Sequence, residues 1–63
     1  MKIKTLVEFS GVPINSTGEA IREGDLWKIT WDNLTRFGGI PFKKKPLEDY
    51  FDNEEFKKYL VRI

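Results

Sequence analysis

Leu26-Trp27-Lys28-Ile29-Thr30-Trp31 decides how this chain folds. Trp27, Ile29 and Trp31 alternate with Lys28 and Thr30, so in an extended backbone the three large apolar side chains share one face. Aromatic and β-branched residues at that period suit a pleated, half-buried surface. Gly24-Asp25 before the stretch and Asp32-Asn33 after it supply turn chemistry at both ends. Upstream, residues 2–9 show the same period. Ile3, Thr5, Val7 and Phe9 fall on one side, with Lys2, Lys4, Leu6 and Glu8 on the other, which predicts a strand over 2–9. Ser10-Gly11-Val12-Pro13 ends it, Asn15-Ser16-Thr17-Gly18 is a second breaker cluster, and 19–23 reads as a short strand.

Downstream the pattern weakens. Gly38-Gly39 permits a turn with positive φ, while Pro41 and Pro46 disfavour a central strand, so 34–46 reads as an irregular excursion or ragged hairpin. Order returns at Asp52. This residue is placed to cap a helix N-terminus, with Glu55 three positions on completing a capping box and Phe51 and Phe56 flanking as a hydrophobic staple. Glu54 and Glu55 suit the positive end of the helix dipole, and Lys57 and Lys58 the negative end. Phe56, Tyr59 and Leu60 give one apolar face about two turns long. So short a helix is marginal alone and must dock on the sheet. Residues 61–63 read as a final piece of strand.

Sixty-three residues make one small domain, which buries roughly 60% of its extended-chain surface. Without disulfides or metal ligands its stability rests on the aromatic residues, 14% of the chain, each burying about 150–250 Å². That payload argues for a compact fold despite 33% charged residues. The absence of cysteine fits a reducing compartment, and no segment approaches the roughly 20 apolar residues of a membrane span. The expectation is a cytoplasmic protein with no membrane partner.

Composition also narrows the chemistry. The chain contains neither His nor Cys. General acid–base catalysis near neutral pH leans on His, and thiol nucleophiles and soft-metal sites need Cys or His. Carboxylates remain, but Glu48, Asp49, Asp52, Glu54 and Glu55 lack calcium-loop spacing, and a glycosidase pair would need cleft walls this chain cannot build. A non-enzymatic protein with no catalytic residue, no cofactor and no metal is expected.

The candidate contact surface lies in 34–46, which holds Arg36, Lys43, Lys44 and Lys45 and no acid. Phe37 and Phe42 are interleaved with these cations. Cations that neutralise phosphates, beside rings on which bases stack, are the ingredients of a nucleic-acid surface. A solvated loop with its phenylalanines folded inward is the simpler alternative, and a net charge of only +1 favours it. Trp27 and Trp31 read as core residues; the alternative, open to a five-stranded barrel this small, is that one sits partly exposed at a rim as an anchor for a peptide or a base.

Taken together, Val7-x-Phe9-x-Gly11-Val12-Pro13, Ser16-Thr17-Gly18-Glu19-Ala20 and Trp27-x-Ile29-x-Trp31-Asp32 resemble the SH3-like small β-barrel class in its KOW-like form. The chain is also similar to small barrel proteins of bacteria and their phages for which no activity follows. The resemblance covers residues 3–32, about half the chain. Such barrels usually carry a short 3₁₀ turn before the last strand, where this chain has helix signals. KOW-like barrels bind RNA or proteins, and that is what the resemblance implies here. Leu47-Glu48-Asp49-Tyr50 matches the tyrosine motif of peptide-binding SH3 domains only superficially, and their Pro-rich ligands are not carried over.

The expectation is therefore a mainly β fold: a small antiparallel SH3-like barrel of four or five strands, with one short C-terminal helix packing Phe56, Tyr59 and Leu60 onto Val7, Phe9, Ile29 and the tryptophans. Its expected function is that of a binding module for a protein or peptide partner. Nucleic-acid binding, RNA or DNA, through the basic 34–46 segment is the alternative.

Overall fold

The computed structural model describes residues 1–9, 11–38 and 43–63. Five strands, β1 (Lys2–Thr5), β2 (Thr17–Glu23), β3 (Leu26–Gly38), β4 (Lys43–Phe51) and β5 (Leu60–Arg62), form one sheet, with the helix α1 (Asn53–Tyr59) between β4 and β5. Every ladder is antiparallel and the order is β4-β3-β2-β1-β5. The sheet is not closed: β4 and β5 are its two edges.

The decisive segment behaves as its period predicts. Ile29 and Trp31 are buried and Trp27 is half-buried at the rim. Their face continues through Ala20 on β2, Ile3 and Thr5 on β1, Phe51 on β4 and Leu60 on β5, joined by Val12 from the β1–β2 loop. Gly18 lies opposite Trp31, and a Cβ there would come within 2.7 Å of the Thr30 carbonyl oxygen and 3.3 Å of the indole. This breaker residue sits mid-sheet because only a bare backbone lets β2 approach that close. At the β2–β3 turn, Gly24 has φ 60°, and a positive φ at the first central residue matches the twist of a two-residue hairpin.

Strand β1 is shorter than the alternation of 2–9 suggests. It ends at Thr5, where the Leu6 N–H donates to the Tyr59 carbonyl at 2.8 Å instead of continuing a ladder. The buried Thr5 hydroxyl donates to the Pro13 carbonyl (3.2 Å) and accepts from the Ser16 N–H (3.1 Å), tying down the Pro13–Ser16 turn that leads into β2. Phe9 nonetheless reaches the core, through a tight bridge with Val12 rather than through β1. Its ring centroid lies 5.3 Å from those of both Phe51 and Tyr59, the latter edge-on at 86°. Val7 is only half-buried.

The cap chemistry of α1 is as read from the sequence. Asp52 accepts from the Glu55 N–H (2.8 Å) and Glu55 returns the bond to the Asp52 N–H (3.1 Å). The docking is shallower than expected, because no residue of α1 is fully buried. Phe56 packs 4.8 Å from the Trp27 ring, and Leu60, just past the helix, is the buried member of the face.

The 34–46 segment follows the ragged-hairpin reading rather than the irregular excursion. β3 and β4 pair again as Thr35↔Pro46, Arg36↔Lys45, Phe37↔Lys44 and Gly38↔Lys43, after a register shift between Thr30 and Thr35. Asn33, inside that irregularity, has φ 60°, which Asn tolerates better than most residues. Pro46 is accommodated because β4 is an edge. Beyond the shift the two strands form a ribbon leaving the body of the sheet. The radius of gyration is 11.9 Å, against about 10.6 Å for a compact chain of this length, and the longest dimension is 36 Å.

Candidate nucleic-acid interface

The ribbon assembles most of the predicted contact residues and also divides them. Residues directly opposite in an antiparallel pair project from the same face, and neighbours along a strand from opposite faces. Arg36, Lys45 and Lys43 therefore occupy one face, while Phe37 and Lys44 share the other. Along β4, Lys43 and Lys45 continue the alternation of Leu47, Asp49 and Phe51, so the three-cation face is the ribbon's extension of the core side. Phe42 lies outside the described residues.

Phe37 does not fold inward: 71% of it is exposed, the most of any large hydrophobic residue described. All four cations are exposed, and among the described residues none takes part in a salt bridge. The acids nearest in sequence are engaged in the body. Glu48 pairs with Lys28 at 3.2 Å, raising the Lys28 ammonium above its ordinary range chiefly through that hydrogen bond. Asp49 accepts from the Trp31 indole N–H at 2.6 Å. Asp52 and Glu55 cap the helix. Arg36 and Lys45, directly opposed with like charge, repel one another, and such pairs cost stability unless an anion sits between or beside them.

Elsewhere the surface offers less chemistry. The indole N–H of Trp27 donates to Asn53 Oδ1 at 3.1 Å, and the Arg22 guanidinium lies 5.3 Å over that ring, which accounts for its polar atom and its exposed face. On the outer face Lys2 and Thr17 both donate to Asp32 at 2.8 Å, holding its carboxyl below the ordinary range, first through the Lys2 bond. A shallow depression of about 330 Å³ is lined by Glu8, Phe9, Gly11, Val12 and Pro13, with Glu8 the only titratable group among the described residues there. Among the described residues no three potential ligands gather to hold a metal ion, and no helix is long and apolar enough to cross a membrane.

Sequence reasoning identified the cations and Phe37 but not their division between faces. That division depends on the pairing register beyond the shift at Thr30/Thr35, for which 34–46 carries no hydrophobic period. No family model matches the chain, and no curated protein or solved structure matches it either.

Proposed function

We propose that the chain is a non-enzymatic binding module whose contact surface is the β3–β4 ribbon, and that its partner is a nucleic acid. The observation that carries this reading is the exposed, acid-free set of Arg36, Lys43, Lys44 and Lys45 around a solvent-exposed Phe37. A dense polyanion relieves the Arg36–Lys45 repulsion and releases counterions as it binds. The SH3-like, KOW-like resemblance is compatible with this reading, since it implies RNA or a protein as partner. The meander of four antiparallel strands with β5 returning to β1 supports it, and α1, standing where such barrels carry a short 3₁₀ turn, departs from it.

A protein or peptide partner has one observation in its favour. Ile21 and Tyr50, on the outer face, lie either side of Lys28, each more than half exposed, with Leu26 nearby. The ribbon outweighs this patch because, among the described residues, its cations take part in no salt bridge, whereas Lys28 between the apolar residues is already paired.

Binding of the intact chain to mixed-sequence RNA and DNA at about 20 mM salt tests the proposal. Affinity should fall steeply with salt and be abolished by combined Arg36, Lys43, Lys44 and Lys45→Gln substitution, with a thermal midpoint no lower than that of the wild type because the Arg36–Lys45 repulsion is removed. Undetectable binding of the wild type at low salt overturns it.

A further inference from the structure

We infer that the ribbon takes an unpaired nucleic-acid strand, with Phe37 as the ring on which a base stacks. This rests on the nucleic-acid reading above and specifies the form of the ligand. Three observations carry it.

The first is the exposure of Phe37 beside Lys44. A phenyl ring offers nothing to the donors and acceptors of a duplex groove, where only a thymine methyl would suit it. An unpaired base presents its whole π-face, and stacking on an aromatic side chain tolerates any sequence. Lys44, directly across the ladder from Phe37, stands where it can neutralise a phosphate next to a stacked base.

The second is the two-sided placement of charge. Arg36, Lys43 and Lys45 face one way, Lys44 and Phe37 the other. A duplex is stiff over about 150 base pairs and would lie against one face, leaving the other unused. A single strand bends at every nucleotide and passes over an edge to reach both.

The third is that such a passage is open. β2 pairs with β3 only over residues 26–31, and β4 is an outer edge of the sheet, so among the described residues no further strand flanks 35–38 or 43–46. Lys43 and Lys45 sit two residues apart on an extended strand, about 6.6 Å, which sets a regular row of cations for a backbone to follow.

The test is fluorescence anisotropy with a labelled mixed-sequence 12-nucleotide strand, as DNA and as RNA, and with the same strand annealed to its complement. Wild type should prefer the unpaired DNA or RNA strand over the duplex by at least tenfold. Its log–log salt slope should be near −3, from four phosphate contacts at about −0.7 each. Phe37→Ala should lose about 5- to 150-fold on the single strand and change duplex binding less than twofold. Phe37→Tyr should retain the affinity and Phe37→Leu should not, which separates stacking from simple burial. Arg36→Ala combined with Lys45→Ala should flatten the slope by about 1.4. Equal or tighter duplex binding, or a Phe37→Ala variant as tight as wild type on the single strand, overturns this inference and leaves the nucleic-acid proposal standing. Failure of the wild type to bind any of the oligonucleotides overturns both.

Discussion

Residues 26–31 and 35–38 belong to the same strand, β3, yet they live in opposite solvents. The first stretch lies between β2 and β4, with Ile29 fully buried and Trp31 2% exposed. Among the described residues the second has only β4 beside it, and its Phe37 is 71% exposed. Extended backbone is common to both, so strand geometry alone does not decide burial. A second neighbour and a covering layer do. In the body, Phe9, Phe51 and Tyr59 close over the inner face. On the ribbon, lysines occupy the corresponding positions of β4 and water is the cover.

The largest expected consequence of this contrast is in stability. Trp31→Ala removes a buried indole that contacts Phe9 and bonds Asp49, at about 3–5 kcal/mol. That matches the roughly 3–5 kcal/mol a core of this size supplies, so the variant should be largely unfolded in water by circular dichroism. A cooperative melt near the wild-type midpoint would show that the body does not depend on its buried face. Gly18→Ala, forced against the Thr30 carbonyl, should cost about 2–3 kcal/mol by overpacking, measured by urea titration. Phe56→Ala should cost about 1.5–2.5 kcal/mol, around half the figure for a fully buried aromatic, because its site on Trp27 is half-open. Phe37→Ala should move the urea midpoint by less than about 0.5 kcal/mol equivalent, as a surface substitution does, while weakening oligonucleotide binding. A large stability loss there would mean that the ribbon's ring packs on the body.

The smallest effect is electrostatic. The Asp32 carboxyl is held below its ordinary value by Lys2 first and Thr17 second. Its contribution is present above the unfolded value of about 3.9 and is lost as pH falls through the lower, folded one. The Lys2 ammonium, raised chiefly by the same bond, contributes below its unfolded value and loses that contribution as pH rises through the folded one. Asp32→Asn should therefore flatten the acid limb of the stability–pH curve below about pH 4, read from thermal midpoints between pH 2 and 7. An unchanged acid limb would show that the exposed pair is screened out.

Much of the body was legible in the sequence because its signals are local. The alternation of Trp27, Ile29 and Trp31 needs no partner to be recognised, and Asp52 with Glu55 announces a helix start within four residues. What escaped was set by contacts distant along the chain. Thr5 ends β1 because Tyr59 takes the next N–H and the Pro13–Ser16 turn takes the hydroxyl, neither visible in the alternation of 2–9. Of the two readings of 34–46, the ragged hairpin matches the antiparallel pairing of 35–38 with 43–46 beyond a register shift, while its register escaped because an exposed ribbon needs no hydrophobic period. The candidate residues Arg36, Phe37, Lys43, Lys44 and Lys45 were found from composition, and their division into two sides came only from the ladder.

The register shift around Asn33 separates two ladders, 27–30 with 48–51 and 35–38 with 43–46, of which only the first lies on the packed face. It works as a joint. Adding a residue at Asn33 would change the pitch at which the arm leaves the sheet while keeping the pairings on either side, but the joint is anchored at both ends, by Asp32 on Lys2 and Thr17 and by Leu34 packed against the core. The direction of the arm is thus set at one short joint rather than along the whole of β3.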